Sequence, residues 1–319
     1  MKIAFVGKGG SGKTTLAALF LRHLAAETPA PPLLGIDADI NQHLAAALGA
    51  DESTASPTLG ENLTAIKEHL RGDNPLVTSA EDMIKTTPPG RGSRLVGIAD
   101  DNPLYRRFVR DVHGVRLAAT GPFADSDLGV ACYHSKVGAV ELLLNHMVDG
   151  KGEYAVVDMT AGADSFASGL FTRFDVTFLV CEPTLRSVGV YRQYLGYARD
   201  FDVRVAVVGN KVVDQDDVAF LQQHVGADLL GWIGRSDHVR AAERGDIRPI
   251  AALEPGNRDT LRRMRALVDG VDQDWAKFHR QTVEFHLRNA VAWANGRAGR
   301  DLADQVDPDF VPGPVSLTR

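Results

Sequence analysis

Gly7-Lys8-Gly9-Gly10-Ser11-Gly12-Lys13-Thr14-Thr15 follows the apolar run Ile3-Ala4-Phe5-Val6 and precedes the helix-forming run Leu16 to Ala26. A strand feeding a glycine-rich loop that opens a helix is a phosphate-binding arrangement, and Gly7, Gly12, Lys13 and Thr14 fill the pattern G-x-x-x-x-G-K-[ST]. Glycines lack the β-carbon that would stop consecutive N–H groups turning inward as an anion nest. The helix that begins at Lys13 adds the positive end of its dipole. Gly9, Gly10, Ser11, Gly12, Lys13, Thr14 and Thr15 are therefore the expected cradle for a polyphosphate. Lys13 is expected to reach β- and γ-phosphate oxygens, and the Thr14 hydroxyl to enter the octahedral shell of Mg²⁺.

Outward from the loop, strand and helix patterns alternate. Leu33 to Ile36 reads as a short buried strand, followed by strands at Val115 to Thr120, Tyr154 to Asp158, Val176 to Cys181, Val203 to Val208 and Leu229 to Ile233. Helices are expected near His134 to Met147, Leu185 to Arg199 and His238 to Arg244. Repeated β then α units imply an α/β fold with a mostly parallel sheet and helices on both faces. Residues 51–113 lack a steady period and carry the turn cluster Thr87-Pro88-Pro89-Gly90-Arg91-Gly92, so they read as an insertion of loops and short helices. The sheet domain is drawn as 1–256 and a C-terminal helical extension as 257–306. In that extension Leu261, Met264, Leu267 and Val268 lie at helical spacing, and a second helix runs from Trp275 to Asn295 with Trp275, Phe278, Thr282 and Phe285 near one face. Residues 307–319, with Pro308, Pro312 and Pro314, read as an irregular tail.

Three carboxylates stand at strand ends, where open α/β sheets place their chemistry. Asp158 ends the apolar strand Tyr154-Ala155-Val156-Val157 and precedes Thr160-Ala161-Gly162, so it suits the Mg²⁺ water shell; a strand-ending turn or cap is the plainer alternative. Asp37 and Asp39 are two residues apart on an extended segment and share a side. One can orient a water and the other support the metal shell, or either can cap a helix starting near Gln42.

Lys8 is a second loop lysine that a phosphate loop does not itself require. With Lys8 and Lys13 together, the sequence resembles the deviant Walker A ATPases, which include the MinD and ParA, nitrogenase iron protein, tail-anchored targeting and metallocentre maturation types. The resemblance spans roughly residues 1–250. It implies a P-loop NTPase fold, ATP and ADP with Mg²⁺ as cofactor, slow hydrolysis to ADP and phosphate, and an ATP-dependent homodimer in which Lys8 reaches the partner's phosphates. It implies further that Asp37-Ala38-Asp39 forms switch I with Asp39 aligning the water, and that Asp158 to Gly162 forms Walker B and switch II. Asn210-Lys211 resembles the pair that reads the adenine edge. Asp158-Met159-Thr160-Ala161-Gly162, Glu182-Pro183-Thr184 and Gly129 to His134 are most similar to the CooC-type nickel-insertion ATPases of carbon monoxide dehydrogenase. There the last stretch carries Cys-x-Cys at the dimer axis; here Cys132 is followed by His134, so two copies would offer a Cys₂His₂ set suited to Zn²⁺ and open to Ni²⁺. A buried cysteine and an exposed histidine without metal is the alternative.

Bulk properties narrow the setting. Of 319 residues, 44% are hydrophobic and 24% charged, an ordinary globular composition, and the net charge of -6 disfavours indiscriminate contact with nucleic acid or anionic membrane. Cys132 and Cys181 make no disulfide framework, and no apolar run approaches the ~20 residues of a membrane span, so a cytoplasmic setting is expected. The leading expectation is a dimeric ATP switch acting on a client protein or its metal; the competing one is a ParA- or MinD-like positioning ATPase whose ATP state binds DNA or another surface.

Overall fold

The computed structural model describes residues 1–50, 57–122, 133–162, 166 and 169–318. Among these, the strands are β1 (Lys2–Gly7), β2 (Leu33–Ala38), β3 (Val96–Gly97), β4 (Arg110–Val112), β5 (Val115–Ala119), β6 (Met147–Val148), β7 (Tyr154–Met159), β8 (Val176–Cys181), β9 (Val205–Val212) and β10 (Leu229–Gly234). The helices are α1 (Lys13–Ala25), α2 (Leu44–Ala47), α3 (Leu63–Arg71), α4 (Pro103–Phe108), α5 (Tyr133–Asn145), α6 (Leu185–Ala198), α7 (Gln215–Val225), α8 (Asp237–Ala242), α9 (Pro255–Asp269), α10 (Trp275–Asn289) and α11 (Asn295–Ala298).

The main sheet has the order β10-β9-β8-β1-β7-β2-β5-β4. Every neighbouring pair is parallel except β4 with β5. Strands β1, β2, β7 and β8 are buried throughout, which is why they read as unbroken apolar runs instead of alternating ones. One core lies on the α1 side, where Phe5, Phe20 and Phe178 meet with centroids 5.4 to 6.0 Å apart; the other holds Val6, Ile36, Val157 and Leu179 with α5 and α6. No helix among the described residues is long and apolar enough to cross a membrane.

Several elements differ from the sequence expectation, each for a local reason. β9 extends to Val212 because β10 continues alongside it, with Gly234 opposite Val212, after the β8 pairing ends at Gly209, so Asn210 and Lys211 lie inside the strand. α5 stops at Asn145, freeing Met147–Val148 to pair with Val96–Gly97. Within the expected insertion, β4 joins the sheet edge through a tight turn at His113 and Gly114, both at positive φ.

α9 lies against β10, and Leu261, Met264 and Val268 enter the same core as Phe5 and Phe178. α10 turns Trp275, Phe278, Thr282 and Phe285 inward, as their spacing predicts. The Arg173 guanidinium, fully buried, lies 4.6 Å from the Phe278 ring and donates to Thr282 Oγ1, while Phe285 packs on Phe171 and Phe201. The helix expected to reach Asn295 passes through a π-helical turn at Ala290–Ala294 before α11. The segment from Asp307 is irregular apart from a 3₁₀ turn at Pro314–Thr318, and Asp307 anchors it by a bidentate pair with Arg91, at 2.9 and 3.1 Å.

Candidate active site

The loop after β1 opens on a cleft of about 670 Å³. α1 begins without a side-chain cap: Gly12 is its cap residue at φ 95°, and no acidic residue stands in the first turn. α6, α7, α8 and α10 are each closed by a hydroxyl or carboxylate, from Thr184, Asp214, Ser236 and Asp274, whereas α2, α3 and α9 also lack a side-chain cap. α1 differs from those three in that its first turn, Lys13 to Thr15, lines the cleft. The open N–H groups and the dipole are therefore left for an anionic ligand. Gly7 is required by contact with backbone, and Gly12 by its φ of 95° together with its closeness to the Asn210 amide. A Cβ on Gly7 would come within 2.5 Å of the Val180 carbonyl oxygen, and one on Gly12 within 2.1 Å of Asn210 Nδ2.

Gly9, Gly10, Gly12, Lys13, Thr14 and Thr15 line the cleft, with Asp39, Asn210 and Lys211. Ser11 is buried, with its hydroxyl unpartnered. Asn210 Nδ2 donates to the Ser11 carbonyl at 2.7 Å, so this amide braces the loop as well as facing the ligand space. Lys211, at φ 59° within a strand, donates to the Gly10 carbonyl and to Glu182, each at 2.7 Å. Lys8 lies on the rim, 2.8 Å from the Gly9 carbonyl and 3.1 Å from Glu182.

The carboxylates separate into distinct environments. Thr14 Oγ1 donates to Asp158 Oδ2 at 2.6 Å, while Asp158 Oδ1 is buried with no partner. Burial pushes this carboxyl up to about 8; Thr14 and Lys13 pull against that rise, and Asp37 and Asp39 add to it. A buried acceptor left open beside a hydroxyl is a donor set that fits Mg²⁺, a hard cation that keeps much of its water. Asp37 faces Asp158 across the β2–β7 register, but both its oxygens are taken by main-chain amides, of Leu44 at 2.9 Å and Asp39 at 3.2 Å. It thus holds the start of α2 to the end of β2 and is not among the cleft-lining residues. Burial, partly offset by those amides, raises it to about 6. Asp39 does line the cleft, oriented by two bonds from Asn41 to Oδ1, at 2.8 and 2.9 Å.

Cys132 lies outside the described residues, and His134 falls in the first turn of α5 with its side chain likewise undescribed. Among the described residues no three His, Cys, Asp or Glu side chains converge as metal ligands. Sequence reasoning did not single out Asn41, His43, Arg240 or Glu243, which complete the cleft wall. The i, i+3 spacing of Arg240 on α8 and Glu243 at its C-cap was the available signal.

A neutral Asp158 has a measurable consequence. With Asp158 as a ligand of Mg²⁺, its proton would have to leave below pH 8, so binding of a Mg²⁺ nucleotide at pH 7 should release a proton. Affinity should rise with pH and level off above about 8. Calorimetry in two buffers of different ionisation enthalpy reads this release, and Asp158→Asn should remove it.

With β1 central and its loop opening onto an uncapped helix, the chain has the fold of the P-loop ATPases of the MinD and ParA class. A chain of the MinC:MinD cell division protein complex of Aquifex aeolicus superposes with a TM-score of 0.56, 20% identical, covering 86% of this chain and 97% of that one. In sequence the chain is similar to the carbon monoxide dehydrogenase accessory protein CooC of Rhodospirillum rubrum, 29% identical over 271 residues, covering 84% of this chain and 96% of CooC. An uncharacterized ATP-binding protein of Methanocaldococcus jannaschii is 26% identical over 251 residues, covering 76% of this chain and 88% of that protein. No family model matches the chain.

Proposed function

We propose that this chain is a Mg²⁺-dependent ATPase that closes as a homodimer around two nucleotides and uses that cycle in the maturation of a client enzyme. The observation that carries the proposal is the uncapped start of α1 above the Thr14–Asp158 pair, with a second lysine, Lys8, held on the loop's outer rim. The similarity to an accessory protein and to an ATP-binding protein supports it. Loop amides and Lys13 bind the phosphates and meet the charge that develops on them. Asp39, fixed by Asn41, aligns the water, and Lys8 of one copy stabilises the phosphates held by the other. Thr14 and Asp158 would hold Mg²⁺, which when bound neutralises phosphate charge. Cys132 and His134, paired across two copies, are the proposed ligands for a metal cargo, either Zn²⁺ or Ni²⁺.

One experiment tests the parts together. The protein is incubated with Mg²⁺ and a non-hydrolysable ATP analogue, its mass measured by sedimentation and its bound metal assayed in wild type and Cys132→Ser, while free phosphate release is followed with ATP. Expected are a doubled mass and slow phosphate release. A monomer at saturating analogue rejects the dimer. Equal metal content in the two proteins rejects the cargo site.

A further inference from the structure

Glu182 stands immediately after β8, beside the loop, because Val180 of β8 pairs with Gly7 of β1. Its main chain is fixed: its N–H donates to Ser187 Oγ at 3.0 Å, and its carbonyl accepts from Thr184 N at 2.7 Å. Its carboxylate is divided between two lysines. Oε2 takes Lys8 at 3.1 Å and Oε1 takes Lys211 at 2.7 Å, with Glu182 only 13% exposed. Burial works against this carboxylate, and the bonds from Lys211 and Lys8 outweigh it, holding the group below the usual range.

The same two ammonium groups donate to the Gly9 and Gly10 carbonyls. Those carbonyls are thereby satisfied by side chains, leaving the loop's N–H groups for the anion. Lys211 reaches this position with a left-handed backbone near the C-terminal end of β9, a conformation that persists where surrounding contacts hold it. Three side chains from β9, the β8 end and the loop thus converge on the rim, and Lys8 and Glu182 are not among the residues that line the cleft of their own subunit.

We propose that Glu182 is the positioning residue for Lys8: its carboxylate, steadied by Lys211, parks the Lys8 ammonium at the rim of its own loop until a second copy presents phosphates to it. The inference rests on the dimeric reading above. In that cycle Lys8 exchanges one anionic partner for another, and Glu182 retains Lys211. Each parked pair is partly exposed and therefore weak, so it yields to phosphate, yet it keeps the flexible side chain from folding over its own bound nucleotide.

The test uses Glu182→Gln, which keeps shape and main-chain bonds while removing the charge. In the nucleotide-free protein, competitive labelling of lysines with acetic anhydride, read by mass spectrometry, should show Lys8 several-fold more reactive in the variant, with Lys277 unchanged as a reference. At saturating non-hydrolysable ATP, the dimer dissociation constant should fall by roughly two- to thirty-fold, since two weak pairs no longer need to be broken. Unchanged labelling of Lys8 overturns the parking contact whether or not a dimer forms. Raised labelling with an unmoved or weakened dimer overturns the positioning role. Raised labelling with neither protein ever dimerising overturns the dimeric reading instead.

Discussion

Lys8→Ala should lower the rate of ATP hydrolysis by about a thousand-fold, the low end of what a charge supplied from a second molecule gives phosphoryl transfer, while nucleotide affinity stays within a few-fold of wild type. The two lysines of the loop differ in where they stand. Lys13 is 6% exposed and lines the cleft at the head of α1, so its charge belongs to the nucleotide of its own subunit. Lys8 is on the outer rim, tied to Gly9 and Glu182, and leaves the cleft wall to its neighbours. Removing Lys13 should therefore abolish binding, whereas removing Lys8 should leave a competent monomer that rarely turns over. Fluorescent-nucleotide titration and single-turnover phosphate release separate the two outcomes. Normal hydrolysis by Lys8→Ala at all protein concentrations would sink the dimeric mechanism.

The loop and its strand were legible in the sequence because the whole device is contiguous: nine residues carry the turn, the charge and the helix start. The buried strands were legible because both faces of the sheet are covered, so each reads as a continuous apolar run. Partners brought from afar were not. Glu182 could be seen only as part of a Glu-Pro-Thr string, since its meeting with Lys8 depends on β8 lying beside β1. Asn210 could be matched to a base-reading pair, but its bond to the Ser11 carbonyl depends on β9 running on to Val212. Asp37 and Asp39 looked alike at two-residue spacing, and only the position of α2 adds the Leu44 amide to the local Asp39 amide on Asp37, while Asp39 is left in the cleft. β3 and β6, two residues each, are too short to carry a period. α9 showed its amphipathic face without showing that the face would complete the core beside β10.

Asp149→Ala should cost about 3–5 kcal/mol of folding stability, because it leaves a buried ammonium without its carboxylate. Lys2, 2% exposed, donates to Asp149 Oδ1 at 2.6 Å, and Gln273, just before α10, donates to Oδ2 at 2.5 Å. The same ammonium lies 4.5 Å from the Trp275 ring and 4.6 Å from that of Phe278. Asp149 therefore joins β1 to the start of α10, and its loss releases both. Burial alone would raise its pKa, but Lys2 and the Met1 amino group, which also donates to Asp149 Oδ2, together outweigh burial and the group is lowered. A lowered folded pKa contributes stability above the unfolded value of about 3.9, and that contribution disappears as pH falls through the folded value. Asp175 is held the other way, raised by burial against the pull of Lys2, so acidification favours it and the acid loss belongs to Asp149. Urea midpoints should thus show a large gap between wild type and Asp149→Ala at pH 7 that narrows below about pH 4, with Asp149→Asn in between because its amide oxygen still accepts from Lys2. This cluster sits at the far end of β1, about 17 Å of strand from Gly7. Nucleotide affinity of the folded variant should accordingly match wild type, and a loss of affinity equal to the loss of stability would show that the two ends of β1 are coupled.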